Sequence, residues 1–224
     1  MLRARVSRLR AQVRILRFRG SSDYWDRRYA DGKWSGRGSY GRLAEFKARV
    51  INGLVVRHGI HSVVEFGCGD GNQLQLASYP TYIGLDVSPT AVQLCKQRFA
   101  DDATKSFFRY DPECFVDNGG IFQSDLALSL DVIYHLVEDV VFERHLTHLF
   151  QSAERFVIVY ASDEDRPREA SHVRHRRFTP WVEQHQPSWS LIDRLDNEFP
   201  VGDADPLGSF SSFYVYQRGE RPEP

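Results

Sequence analysis

Short runs of branched and aromatic residues alternate with amphipathic stretches along most of the chain. The apolar runs predict strands at 62–66, 81–86, 106–110, 126–130, 155–160, 190–195 and 211–217. Helical periodicity falls between the first five, near 71–78, 89–99 and 136–153, and again at 178–186 before the sixth. Upstream, Leu43, Phe46, Val50 and Leu54 recur three and four residues apart and predict a helix over 42–58. Leu2, Val6, Leu9, Val13 and Leu16 predict another over 2–18. Between these two helices, GSSDYWDRRYADGKWSGRGSYGR is rich in glycine, serine and aromatics and predicts an ordered cap with little regular structure.

β-Branched runs alternating with helices imply βαβ units, hence a parallel sheet covered by helices on both faces. The last two runs lie close together and alternate apolar with polar residues, which predicts an antiparallel pair at one edge. The chain has 224 residues, of which 42% are hydrophobic, enough for one sizeable core. Three divisions follow: a basic helix over 1–20, a cap and first helix over 21–58, and a core over 59–224. No internal repeat is present.

Charge changes the picture only at the N-terminus. The formal net charge is −1, so bulk charge does not point to a polyanionic partner. Residues 1–20 nevertheless hold seven arginines and no acid, which leaves the remainder at −8. Such a helix suits docking on its own acidic domain, pairing with a second copy as a homodimer, or lying on an anionic membrane; the first two are favoured. Cys68, Cys95 and Cys114 form no CxxC pair, which argues against structural zinc and disulfides. No apolar stretch approaches the roughly 18 residues of a membrane span, and no signal-peptide pattern is present. A cytoplasmic protein is expected.

Candidate chemistry concentrates at VVEFGCGDGNQL, residues 63–74. The first strand ends here in a loop of alternating glycines, and ligands of open parallel sheets bind at such strand ends. The spacing is ExGxGxG from Glu65, through Gly67 and Gly69, to Gly71. A dinucleotide loop would place its third glycine at position 72, which is Asn. Asp86 closes the second strand 21 residues after Glu65. A carboxylate there can accept from both hydroxyls of a ribose, whereas a phosphate would be repelled. No P-loop lysine follows the glycines. The pattern suits a nucleoside ligand.

With VVEFGCGDG, YIGLDVS, FFRYDP and DLALSLDVIYHL in this order, residues 40–217 resemble the class I S-adenosylmethionine-dependent methyltransferases. The resemblance implies a Rossmann-like α/β fold, a seven-stranded sheet with helices on both faces and an antiparallel last strand. It also implies roles by position. Backbone at Gly67 and Gly69 meets the methionine portion, and Cys68 is counted with that loop as a small side chain. Asp86 holds the ribose, Val87 packs on adenine, Asp111 bonds the adenine amino group, and Leu130 flanks the methionine. Glu65 orders the loop or accepts from the cofactor's ammonium group.

Methyl transfer from a sulfonium needs an aligned acceptor and a group to take its proton. His135, just beyond the fourth strand, is the first choice for a hydroxyl acceptor; it could equally pack or cap a helix start. Tyr134 lines the acceptor pocket or belongs to the core. Asp131 orients a histidine, binds a divalent cation or caps the helix. On one continuous helix His145 and His148 would stand roughly 15–20 Å further along at 1.5 Å per residue. The site lacks the Asn/Asp-Pro-Pro-aromatic pattern of nucleic-acid amine methyltransferases, so no nucleic-acid partner is expected.

Residues 23–47 and 172–189 resemble elements of bacterial polysaccharide and glycan methyltransferases, including the mycobacterial methylmannose-polysaccharide enzymes. Tyr24, Trp25, Tyr40 and Arg42 would be the cap's contact residues, with Arg42 either clamping the methionine carboxylate or solvated. The insertion over 161–189 brings His172, Arg174, His175, Arg176, Arg177 and Trp181 to the acceptor side, as sugar contacts or as a solvated face. The expected function is O-methylation of a sugar or oligosaccharide. The alternatives are methylation of another small natural product or a lipid, or a non-catalytic cofactor-binding partner protein. A Mg2+ requirement stays open, with Asp131, Asp163, Glu164 and Asp165 as candidate ligands.

Overall fold

The computed structural model describes residues 18–167, 170–203 and 205–219. Its centre is one seven-stranded sheet: β1 (Ser62–Phe66), β2 (Thr81–Asp86), β3 (Lys105–Arg109), β4 (Ser124–Leu130), β5 (Ala153–Ala161), β6 (Trp189–Leu195) and β7 (Ser212–Arg218). The order across the sheet is β3-β2-β1-β4-β5-β7-β6. β1 pairs in parallel with both β2 and β4, so the order reverses beside it. That reversal opens a crevice at the carboxyl ends of β1 and β4. β7 runs antiparallel to β5 and to β6. The last two strands therefore pair as expected, but the final one is inserted and β6 takes the edge.

Successive side chains of β1 enter different cores. Val63 joins Phe46, Ile51 and Leu54 of α2 (Gly41–His58) on one face. Val64 joins Leu146, Leu149 and Phe150 of α4 (Asp139–Gln151) on the other. Burial of both faces explains why these strands read as apolar runs rather than as alternation. α3 (Pro89–Arg98) starts with the Ser88 hydroxyl accepting from Ala91 N, with proline at its first position. α5 (Thr179–His185) precedes β6.

Three expectations are corrected. The cap is not irregular: Ser21–Ala30 form a helix, α1, followed by a 3₁₀ turn at Arg37–Ser39. Its glycines all lie outside 21–30, so averaging over the segment hid a glycine-free decapeptide. Glu138 accepts from Ser21 N (2.9 Å) and Ser21 Oγ (2.6 Å), and Asp23 pairs with Arg27 one turn on (3.0 Å). The helix expected over 71–78 is only a 3₁₀ turn at Gln73–Leu76, because the chain leaves Gly71 at φ +74°. The helix expected from 136 starts at Asp139, after a separate 3₁₀ turn at Ile133–His135. The basic helix expected over 2–18 lies, apart from Phe18, outside the described residues.

Candidate active site

A cavity of about 170 Å³ opens at the reversal point. The carboxyl ends of β1, β2 and β4 form its floor, and the cap forms its roof through Trp25, Tyr29 and the 35–39 turn. Of the residues expected to bind or act, Glu65, Gly67, Cys68, Gly69, Asp86, Val87, Leu130, Asp131, Tyr134 and His135 all line it. Tyr40, Arg42 and Asp111 do not.

The glycine loop is shaped first by the protein itself. Gly67 and Gly69 have φ of +92° and +59°, where a side chain is strained. A Cβ at Gly67 would run into Val132, and one at Gly69 into the Ser35 hydroxyl and Tyr29. The cap thus sits directly on the loop. Asp70 fastens it there, accepting from Ser35 N (3.0 Å) and from the Tyr40 hydroxyl (2.8 Å), while Asp70 N donates to Ser35 Oγ (2.9 Å). Tyr40 is therefore a latch on Asp70. The Ser35 hydroxyl is shared in turn with Tyr29 (2.9 Å).

Two buried acids face the cavity behind the loop. Glu65 accepts from the Tyr82 hydroxyl at 2.7 Å, and burial pushes its carboxyl up to about 7. Asp86 accepts one backbone N–H on each oxygen, from Gly69 and from Ser88, both at 2.9 Å. Burial outweighs these bonds and raises it to about 6. Each Asp86 oxygen keeps a lone pair for a ligand hydroxyl.

At the exit of β4 the chain turns sharply. Asp131 is the one non-glycine among the described residues at positive φ (+58°). Its carboxylate takes three donors: Lys47 Nζ at 2.7 Å on one oxygen, and the Tyr134 and Ser211 hydroxyls, each at 3.0 Å, on the other. These contacts join Lys47 on α2, Tyr134 after β4 and Ser211 before β7. Lys47, 1% exposed, is a site residue that the sequence reading missed. Its signal was a cation on the apolar stripe of α2, between Phe46 and Val50.

His135 is half-buried in the cavity wall. Its Nδ1 donates to the His172 carbonyl at 2.9 Å, since a carbonyl can only accept. This bond fixes the tautomer and leaves Nε2 with a free lone pair. Burial pushes the ring down to about 4, so it is neutral at pH 7. His145 also lines the cavity, sharing a 2.9 Å hydrogen bond with Ser129, and is pushed down to about 3, again by burial. The continuous helix on which the 15–20 Å spacing depended is absent, because His135 ends a 3₁₀ turn and the helix carrying His145 starts at Asp139. His148 instead meets the Tyr110 hydroxyl (2.7 Å).

Further expectations are corrected. Asp111 is exposed and its Oδ1 accepts from Glu113 N (3.0 Å), so it closes a turn while its neighbours Tyr110 and Pro112 reach the cavity. Arg42 is drawn outward into an ion pair with Asp205, its guanidinium 4.7 Å from the Phe199 ring centre. The charge run after β5 is partly built into the fold, with Arg177 exposed. Arg174 and Arg176 donate to the Val137 carbonyl at 3.0 and 2.9 Å, which secures the loop carrying His135. His175 bonds Ser162 (2.6 Å), and Trp181 packs edge-on to Phe142. Among the candidate metal ligands, Asp163 accepts from Phe178 N, Thr179 N and Thr179 Oγ1 at the start of α5. Glu164 pairs with Arg166 (2.5 Å). Among the described residues no group of three acids, histidines or cysteines could hold a metal ion.

No family model and no curated protein matches the chain. Solved structures do. The N-methyltransferase NodS from Bradyrhizobium japonicum WM9, in complex with S-adenosylhomocysteine, superposes with a TM-score of 0.67 at 16% identity, over 90% of this chain and 100% of its own. The magnesium protoporphyrin IX methyltransferase ChlM from Synechocystis PCC 6803, with the same product bound, gives 0.63 at 16% identity, over 88% and 97%. The methyltransferase domain of bacterial CtHen1 gives 0.63 at 20% identity, over 80% and 100%. With its strand order, its antiparallel seventh strand and these likenesses, the chain has the Rossmann-like fold of the methyltransferases.

Proposed function

We propose that the protein binds S-adenosylmethionine in this cavity and transfers its methyl group to a hydroxyl of a sugar or oligosaccharide, with His135 as general base. The residues present fit the cofactor. Gln73 is 7% exposed and donates to the Ala44 carbonyl (3.0 Å), while its Oε1, on the cavity wall, has no partner among the described residues. An acceptor fixed in this way on the cavity that Glu65 also lines suits an ammonium group. Asp86 suits a ribose diol, and Val87 with Tyr110 offers walls for an adenine. Bound there, the cofactor supplies a methyl group on a positively charged sulfur.

The observation that carries the reading is His135. Its tautomer leaves Nε2 as an acceptor, and the residue lines the cavity beside the β4 exit. The acceptor hydroxyl becomes acidic as its oxygen bonds to carbon, so a base near pKa 4 can still take the proton while staying uncharged beforehand. Trp25 and the roof of the cavity exclude water from the ring. Trp25 also lines the cavity, and an aromatic ring there is the chemistry that sugars pack on.

Two measurements test this. Transfer of labelled methyl groups to a panel of mono- and oligosaccharides should label a carbohydrate hydroxyl; label reaching only lipids or other small molecules overturns the sugar assignment. Calorimetry with S-adenosylhomocysteine should show binding that Asp86→Ala weakens by about 1.5–3 kcal/mol, for a charged acceptor lost from a diol. A folded protein with no affinity for the compound removes the proposal altogether.

A further inference from the structure

Most charged groups that line the cavity already have protein partners. Lys47 pairs with Asp131, Glu65 accepts from the Tyr82 hydroxyl, and Asp86 accepts from two backbone N–H groups. Arg37, in the 3₁₀ turn of the cap, also lines the cavity, and its side chain has neither an ion pair nor a hydrogen bond among the described residues. An exposed arginine is ordinary by itself. Its neighbours in the chain differ, however: Arg27 pairs with Asp23, Arg28 donates to the Trp34 carbonyl and Arg42 pairs with Asp205.

The turn that carries Arg37 is held at both ends. Before it, Ser35 N donates to Asp70 (3.0 Å). After it, Asn72 Nδ2 donates to the Ser39 carbonyl (2.8 Å) and the Tyr40 hydroxyl to Asp70 (2.8 Å). Gly36 enters it at φ +108°, and a Cβ at Gly38 would come within 2.5 Å of Asp131 Oδ2. The turn therefore lies against the exit of β4, and Arg37 hangs from a fixed backbone. The same roof holds further donors with no hydrogen-bond partner among the described residues: the Ser22 and Ser39 hydroxyls and the Trp25 indole N–H.

We propose that Arg37 sets acceptor specificity: it takes an oxyanion, the carboxylate of a uronic acid or the phosphate of a sugar phosphate, on the saccharide that is methylated. This deepens the reading of the acceptor as a sugar and rests on it. A planar guanidinium matches two oxygens of either group at once, and the free hydroxyls and indole N–H suit the oxygens of a sugar. The cofactor's own carboxylate has another cation to meet. It shares a carbon with the ammonium group assigned to Glu65 and Gln73, and Lys47 is the cation whose charge acts on Glu65. Lys47 Nζ keeps N–H donors beyond the one given to Asp131.

The test uses the full chain saturated with S-adenosylhomocysteine, titrated with glucuronic acid, glucose 6-phosphate and glucose. At least one anionic sugar should bind roughly five- to tenfold tighter than glucose, for a charge-assisted contact at an exposed site, and the preference should shrink as salt is added. The tighter of the two tells carboxylate from phosphate. Arg37→Gln should remove the preference and leave glucose and S-adenosylhomocysteine within about twofold of the unmodified protein. Equal binding of the three sugars, or a preference that survives Arg37→Gln, overturns the proposal. So does a marked loss of S-adenosylhomocysteine affinity in that variant, which would make Arg37 a clamp on the cofactor. A second measurement needs no variant: modification of Arg37 by phenylglyoxal, read by mass spectrometry, should be slowed by the anionic sugar and not by glucose. Equal modification overturns the proposal. Methyl transfer is read separately. Label entering glucose as fast as the anionic sugars sinks the acidic acceptor and leaves sugar methylation standing. Label entering no carbohydrate removes the sugar reading, while the binding series still decides whether Arg37 takes an oxyanion.

Discussion

The two ends of the cavity are built by opposite routes. The cofactor end comes from one short piece of chain: Glu65, the glycine loop and Asp86 lie within 21 residues of one another, and Gly69 bonds Asp86 directly. The base end is gathered from remote places. His135 takes its partner from residue 172, its packing from residue 25, and its neighbour Asp131 from bonds to residues 47 and 211. Burial nevertheless acts on both ends alike. It raises the two carboxyls to about 7 and 6 and lowers the two histidines to about 4 and 3, so every group is pushed toward its neutral form. The consequences differ. A bound cation restores charge to an acid, whereas a neutral imidazole already has the lone pair that the proposed base needs.

Removing the proposed base should have the largest effect. His135→Ala is expected to lower kcat by about 10²–10⁴-fold while affinity for S-adenosylhomocysteine changes little. Comparable losses in both quantities would show that the two ends are not separable. Next comes the ion pair beneath the base end. Lys47→Ala leaves Asp131 without its cation at a buried site, so stability should fall by about 3–5 kcal/mol in denaturant unfolding. A loss under about 1 kcal/mol would mean that the two hydroxyls alone satisfy Asp131.

The cofactor end should respond to pH where the base end does not. A cationic group binding beside Glu65 favours its carboxylate, so binding lowers that pKa and releases a proton. Affinity for S-adenosylhomocysteine should therefore fall as pH drops through 7, by roughly tenfold from pH 8 to 6, with Asp86 adding to the fall below 6. His135 stays neutral across this range. Flat affinity would place the ammonium group away from Glu65. The smallest effect belongs to Arg42, whose exposed pair with Asp205 lies off the cavity. Arg42→Ala should change stability by about 0–1 kcal/mol and leave affinity unaltered. A marked loss of affinity would return Arg42 to the site.

The sequence alone determined the sheet and the glycine loop with Asp86 beside it. Strand and helix periodicities repeat every few residues, so all seven strands were legible to within about two residues. The glycine spacing and Asp86 were legible because a tight turn and a strand end are local demands on residue type. Where signals were averaged or borrowed, the reading failed. α1 was masked by the glycines around it, and Asp111 was placed by analogy with a position rather than by a contact. Only the tertiary structure decided the base end. That Lys47 meets Asp131 84 residues away, that Glu138 holds Ser21 across 117, and that His172 orients His135 across 37 depends on where helices and loops cross the sheet. No periodicity encodes those crossings. They are set by which faces bury together, and the hydrogen bonds form afterwards between whatever polar groups that burial brings within reach.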